Sequence, residues 1–365
     1  MSLRVLRRSV VAAAALAVLP LALQAAEARK PPLVIAHRGA SGERPEHTAA
    51  SYRLAIAQGA DFIEPDLVAT KDGELVARHE NEISATTDVA ARPEFASRRT
   101  TKTIDGRRIE GWFTEDFTLA ELRTLRARER LPQLRAGNAA FDGQEPLLTL
   151  REIIALARNE GRKAGRQVGV YAELKHPSYF AGIGLPLEPR LVAVLKEAGL
   201  ASRSAPFIVE SFEPSALRNV RALAPVRTVF LMAPAGAPPD SRQTGDERTY
   251  ADFTRAGALR EIAGFADGIG PDKQLIVPRD AAGRSQAPTR LVEDAHAAGL
   301  FVHPYTFRSE NLFLPVELRA GESANPSAPG DWKSEYLTFF RLGVDGVFSD
   351  FPAAAVSARR DFLAQ

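Results

Sequence analysis

Residues 33–80 read LVIAHRGASGERPEHTAASYRLAIAQGADFIEPDLVATKDGELVARHE. The stretch opens on a short apolar run ending in a histidine. It then turns through Gly, Ser and Pro and enters an Ala-rich segment with apolar residues at helical spacing. Thr48 stands where a helix N-cap belongs, and Gly59 where a C-terminal glycine stop belongs. A second strand pattern follows at 61–68, and after the turn signal Lys71-Asp72-Gly73 a third run at 74–79. Strand, helix and strand in this order form the unit of a parallel sheet covered by helices.

The alternation continues along the chain. Further strand patterns lie at 168–174, 207–211, 228–232, 267–270, 301–305 and 346–349. Helical patterns lie at 48–58, 150–160, 190–198, 214–224, 291–298 and 332–342, with Thr149 as a second N-cap and Gly161, Gly199 and Gly343 as further stops. Nine strand patterns result, one more than the eight that close an α/β TIM (β/α)8 barrel, so one of them is a hairpin arm or an extra, with the hairpin turn signal between the second and third. Residues 81–146 break the pattern and read as a small insertion subdomain after the third strand, beside the barrel mouth, with a helix at 119–128. Its arginine clusters, Arg98-Arg99, Arg107-Arg108 and the run from Arg123 to Arg135, read as a solvated face. Pro- and Gly-rich stretches at 233–246 and 320–330 read as long loops.

The first 28 residues read as a cleaved leader: Arg4, Arg7 and Arg8, an apolar run at 10–23, then Ala26-Glu27-Ala28. That run is too short to cross a bilayer, which takes about 20 residues, so the expected product is exported and has no stable membrane anchor. The chain has 365 residues, 47 basic and 45 acidic, and no cysteine. Without residues 1–28 the basic and acidic residues balance, so nucleic acid is not an expected partner. The missing cysteines exclude disulfides, zinc fingers, iron–sulfur clusters and a thiol nucleophile. There is no P-loop, HExxH or GxSxG, and the IGPD stretch near Gly268 is too short for dinucleotide binding.

Polar chemistry gathers at strand ends. His37 and Arg38 end the first strand, Glu64 and Asp66 lie on the second, His79 ends the third, and Glu173 and Lys175 close the strand after the insertion. Residues i and i+2 of a strand share a face, so Glu64 and Asp66 present two carboxylates together. In a closed barrel, a third carboxylate from Glu173 converges on the same mouth. Three carboxylates suit one divalent cation with oxygen ligands, Ca2+ or Mg2+. Arg38 and Lys175 add positive charge beside it, and a phosphoryl group is the anion that fits. Two histidines from different strands match a general base and a general acid. Singly, each residue has an ordinary structural reading, as an edge carboxylate pair, an ion pair or a strand-end histidine. Their joint occurrence on apolar strands is what points to a site.

The segments VIAHRGASGERPEHT, GADFIEPDLVATKDGELVARHE and YAELKHP resemble the glycerophosphodiester phosphodiesterases, in particular the periplasmic bacterial type, as do ADGIGPD, VHPYTFR and GVFSDFP. The resemblance runs from about Val34 to Pro352. It implies a TIM barrel with an inserted subdomain and a divalent metal, commonly Ca2+. It makes His37 and His79 the acid/base pair, Glu64, Asp66 and Glu173 the metal ligands, and Arg38 and Lys175 the phosphate contacts. Phe212 would pack against the glycerol carbons. Where the family usually has Asp after the second histidine, this chain has Glu80, whose longer side chain changes how it orients His79. His47 reads as supporting its loop, and His176 and His296 as structural or solvent-facing, while His303 is a candidate to line the mouth. The expected reaction releases sn-glycerol 3-phosphate and an alcohol from a small glycerophosphodiester. The alternatives are a phospholipase of C or D type, disfavoured by 7% aromatic content and no interfacial helix, and a periplasmic phosphodiester-binding protein.

Overall fold

The structure, a computed structural model, describes residues 30–321 and 325–365. The leader expected at residues 1–28 lies outside the described residues, as does part of the loop at 320–330. The strands, in chain order, are β1 (Leu33–His37), β2 (Phe62–Glu64), β3 (Asp66–Ala69), β4 (Leu75–Ala77), β5 (Thr100–Ile104), β6 (Arg107–Gly111), β7 (Gly169–Leu174), β8 (Phe207–Ser211), β9 (Arg227–Met232), β10 (Gly268–Pro271), β11 (Phe301–Val302) and β12 (Gly346–Ser349). The main sheet has the order β11-β10-β9-β8-β7-β2-β1-β12, with parallel neighbours throughout. Its two ends meet. Asp345 N–H donates to the Val302 carbonyl (2.9 Å) and Phe307 N–H to the Phe348 carbonyl (2.8 Å), which all but closes an eight-stranded barrel.

The expected strand at 61–68 is two, because Pro65 has no N–H and interrupts the ladder. The register is nonetheless unbroken: Ile63 lies opposite Val170 and Asp66 opposite Glu173. β4 returns antiparallel on β3, with Leu67 opposite Ala77, so the 74–79 run is a hairpin arm outside the barrel.

Two-residue periodicity sets the floor of the site. Ile35, Phe62, Tyr171, Ile208, Val229 and Phe348 point inward and form one buried apolar layer. Two residues further along the same strands come His37, Glu64, Glu173, Glu210, Leu231 and Asp350, at the C-terminal mouth where barrel sites sit. The outward residues, such as Val34, Ala36, Ile63 and Ala172, join the larger core beneath the helices.

The helix Ala49–Ala57 is capped by Thr48, whose hydroxyl accepts the Ser51 N–H, and Leu150–Lys163 by a Thr149–Glu152 capping box. Gly161 is not the stop the sequence suggests. The helix runs on to Lys163, and Gly161 lets the following chain fold tightly back, since a Cβ there would lie 2.8 Å from the Arg166 carbonyl oxygen. Between β4 and this helix lie the β5–β6 hairpin and several short helices; of the helix expected at 119–128 only Leu119–Leu122 forms. A C-terminal helix, Pro352–Leu363, has no counterpart in the sequence reading.

Candidate active site

Past β1 the chain turns with Arg38 in a left-handed conformation (φ 61°) and aims its backbone N–H at Glu64 Oε2 (2.8 Å). The Arg38 guanidinium is buried between carboxylates, with Nη1 2.9 Å from Glu46 and Nε 3.1 Å from Asp66 Oδ2. His47 is fully buried: its Nε2 lies 2.9 Å from Asp66 Oδ2 and its Nδ1 2.9 Å from the Tyr52 hydroxyl. It therefore steadies Asp66 as well as its own loop. Asp66 sits behind the cavity wall, held from the rear by these two residues.

A cavity of about 470 Å3 opens at the mouth, and its lining includes His37, Arg38, Glu64, His79, Glu173, Lys175 and Phe212. Carboxylate oxygens of Glu64, Asp66 and Glu173 lie within 4.8 Å of one another, and all three residues are buried. Burial opposes the ionisation of each. At Asp66, Arg38 and His47 outweigh that cost and hold the carboxyl well below its usual range. At Glu64, burial and the neighbouring Asp66 push the group well above it, and Glu173 is pushed up to about 8, although Lys175 Nζ lies 3.0 Å from its Oε1. Glu64 Oε1 and Asp66 Oδ1 are buried with no hydrogen-bond partner. Three converging carboxylates, two with free oxygens, short of positive charge, fit a hard divalent cation.

The two histidines flank this cluster, each held at Nδ1 by a carboxylate. His37 Nδ1 lies 2.6 Å from Asp350 Oδ1, and His79 Nδ1 lies 3.1 Å from Glu80 Oε1. Burial and the positive charge of Arg38 lower His37 to about 4; burial, Arg38 and Lys175 lower His79 to about 3. Both rings are then neutral near pH 7, with the proton on Nδ1 and the Nε2 lone pair free. Phe212 forms an aromatic wall with Tyr250 and Tyr305, each 6.0 Å away centroid to centroid, and Lys175 Nζ lies 5.8 Å from its ring centre.

Several site residues escaped the sequence reading. Asp350 anchors His37 and accepts from Arg135 Nη2 (2.6 Å) and Arg308 Nε (2.7 Å) at its other oxygen. Glu210 lines the cavity opposite Glu173 and carries a partnerless buried oxygen. The arginines between Arg123 and Arg135 are not all solvated: Arg135 is buried against Asp350 and Glu310, and Arg130 lines the cavity with Nε 3.0 Å from Glu46. His303 does not line the mouth. It is buried in the lower barrel with Nδ1 3.2 Å from the Tyr171 hydroxyl, because it continues the inward face one layer below the site. His296 meets Asp345 at the half-exposed surface. His176, read as structural or solvent-facing, bonds Glu80.

Solved structures share this architecture. A phosphodiesterase from Oleispira antarctica, in complex with the product sn-glycerol-3-phosphate, superposes with a TM-score of 0.58 at 23% identity, covering 90% of this chain and 96% of its own. A glycerophosphoryl diester phosphodiesterase structure from Silicibacter pomeroyi gives 0.62 at 20% identity, over 91% and 95%. In sequence, a glycerophosphodiester phosphodiesterase of Arabidopsis thaliana is 36% identical over 88% of this chain and 84% of its own, and one from Haemophilus influenzae is 29% identical over 89% and 88%. The sequence model of the Glycerophosphoryl diester phosphodiesterase family matches residues 37–354. A barrel of this kind and a match over nearly all its length agree: the chain belongs to the glycerophosphoryl diester phosphodiesterase family, enzymes that hydrolyse glycerophosphodiesters.

Proposed function

We propose that this chain cleaves small glycerophosphodiesters to sn-glycerol 3-phosphate and an alcohol by histidine acid–base catalysis beside a divalent cation, Ca2+ in the first instance and Mg2+ as the alternative. The observation that carries the reading is the pair of neutral, carboxylate-anchored histidines flanking one cluster of three buried carboxylates. Glu64, Asp66 and Glu173 would hold the ion. When bound, such an ion neutralises the carboxylates and draws charge from the phosphoryl oxygens, the kind of stabilisation that lowers a phosphoryl-transfer barrier.

The chain's own residues do the rest. Arg38 and Lys175 bind the non-bridging oxygens of the phosphate, and Phe212 covers the glycerol carbons. Burial depresses both histidines most and the positive charge of Arg38 next; the substrate anion offsets that second contribution and so favours the protonated form of the ring that acts as acid. The neutral ring accepts the proton of the attacking oxygen at Nε2, and the protonated ring delivers its proton to the departing alkoxide. The accounting is the same whether the nucleophile is water or the substrate's neighbouring hydroxyl, and trapping a cyclic glycerophosphate during turnover identifies the second route. We further propose that residues 1–28 direct export to the periplasm and are removed, so that the mature protein begins after Ala28. Among the described residues, no helix is long and apolar enough to cross a membrane.

Coupled assays for glycerol 3-phosphate and for choline or phosphocholine test the reading, with glycerophosphocholine and intact phosphatidylcholine compared after chelation and after Ca2+ or Mg2+ is restored. Release from the diester, lost on chelation and restored by the ion, is expected. Turnover of the intact lipid alone would make it a phospholipase, and binding of the diester without release would make it a binding protein.

A further inference from the structure

Beyond His79 a chain of contacts leads out of the cavity into the segment between β4 and helix Leu150–Lys163. Glu80 holds His79 Nδ1 with Oε1 (3.1 Å) and receives His176 Nε2 at Oε2 (2.8 Å). His176 Nδ1 in turn lies 2.6 Å from Asp105 Oδ2, at the tip of the β5–β6 hairpin. Three separate chain segments, those of Glu80, Asp105 and His176, thus meet at the His176 ring. The Glu80 side chain is 41% exposed, so water competes for it, and its extra methylene relative to Asp adds a torsion that must be fixed. A second anchor at Oε2 removes that freedom.

The backbone bears out how specifically these groups are held. Four non-glycine residues among those described have positive φ: Arg38, His47, Asp105 and His176. The first two grip Asp66, and the last two form the outer half of this chain. His176 also precedes Pro177, where helical backbone is disfavoured, and still takes φ 49°. To donate to two carboxylates its ring must carry both protons. Burial works against that charge, but the bonds to Asp105 and Glu80 outweigh it and push the group up to about 9.

We infer that His176 and Asp105 are positioning residues, which lock the Glu80 carboxylate against His79 and so present its Nε2 to the phosphate. The inference rests on the role proposed above for His79. It gives the β5–β6 hairpin a part in turnover without contact to substrate.

A double-mutant cycle tests it, on His176→Ala, Glu80→Ala and their combination, with His79→Ala as reference and glycerophosphocholine as substrate in Ca2+. His176→Ala is expected to lower kcat about ten-fold or more, a fraction of the ~10^2–10^4 that acid–base catalysis contributes, with KM and Ca2+ affinity within about twofold. In the Glu80→Ala background it should add no further loss, and His176→Gln, which keeps one N–H donor, should recover part of kcat. Asp105→Asn, at the hairpin tip, should lower kcat in the same direction by less and serves if His176→Ala does not fold. Unchanged kcat in both His176→Ala and Asp105→Asn, a loss confined to KM, or a loss additive with Glu80→Ala would overturn the inference. Full activity in His79→Ala would instead overturn the underlying role of His79.

Discussion

Asp350→Asn is the sharpest probe of how His37 is held. In the wild type one carboxylate oxygen takes His37 Nδ1 at 2.6 Å, while the other takes Arg135 at 2.6 Å and Arg308 at 2.7 Å. An asparagine has one acceptor oxygen, and two fixed guanidinium groups compete for it against one imidazole. The amide NH2 therefore turns toward His37 and becomes a donor facing Nδ1. The ring must then accept at Nδ1 and carry its proton on Nε2, which leaves no lone pair for the reacting oxygen. The same exchange in the Ser-His-Asp triad costs about 10^4 in kcat through the wrong tautomer. A loss of about 10^3–10^4 is expected here, equivalent to ~4–5.5 kcal/mol of barrier. KM should change little, since Arg38 and Lys175 are untouched. Stability should fall by about 1–3 kcal/mol, because buried Arg135 and half-buried Arg308 lose a full negative charge. Steady-state release of glycerol 3-phosphate, with urea unfolding as the control, measures both. A variant within threefold of wild-type kcat would refute the reasoning that Asp350 sets the His37 tautomer.

Glu173, pushed up to about 8, is largely protonated near pH 7 without an ion, and burial and Asp66 shift Glu64 in the same direction, so cation binding should release about one proton or more. Calorimetry in buffers of different ionisation enthalpy reads that release, which should shrink above pH 8; no buffer dependence would contradict it. His176 is raised from 6.5 to about 9 in the folded chain, so its stabilisation is complete below about pH 6.5 and is lost as pH rises through about 9. Unfolding free energy measured across that window should decline, and His176→Gln should flatten the decline. Gly161→Ala should destabilise by about 1–3 kcal/mol through overpacking against the Arg166 carbonyl, more than the ~1 kcal/mol that alanine gains in a helix. Gly137→Ala, which meets open space, is the control for the same denaturation series.

The strand–helix alternation and the clustering of polar residues at strand ends were legible because both follow from local periodicity. β1 carries His37 two residues beyond inward Ile35, and Glu64 stands two beyond inward Phe62, a relation visible in any strand. Glu210 obeys the same rule two residues past Ile208, and a carboxylate inside the apolar run FIVES was the available signal. Asp350 likewise follows Phe348 on the same face, and its role becomes apparent only when β12 lies beside β1. Arg130 and Arg135 gave no local sign, since an arginine-rich segment looks the same whether it meets water or Glu46 and Asp350. Gly161 misled because a glycine at the end of a helical pattern signals a stop, while its actual use is close packing, set by a chain reversal that periodicity does not encode.

If two histidines act on a phosphodiester beside a carboxylate-held cation, turnover and ion binding must be separable. Glycerol 3-phosphate release and Ca2+ affinity should be measured side by side for the wild type, His37→Ala and His79→Ala. Each substitution is expected to reduce turnover by about 10^2–10^4 or more while leaving the Ca2+ dissociation constant within about threefold. Near-normal turnover in either variant would contradict the account.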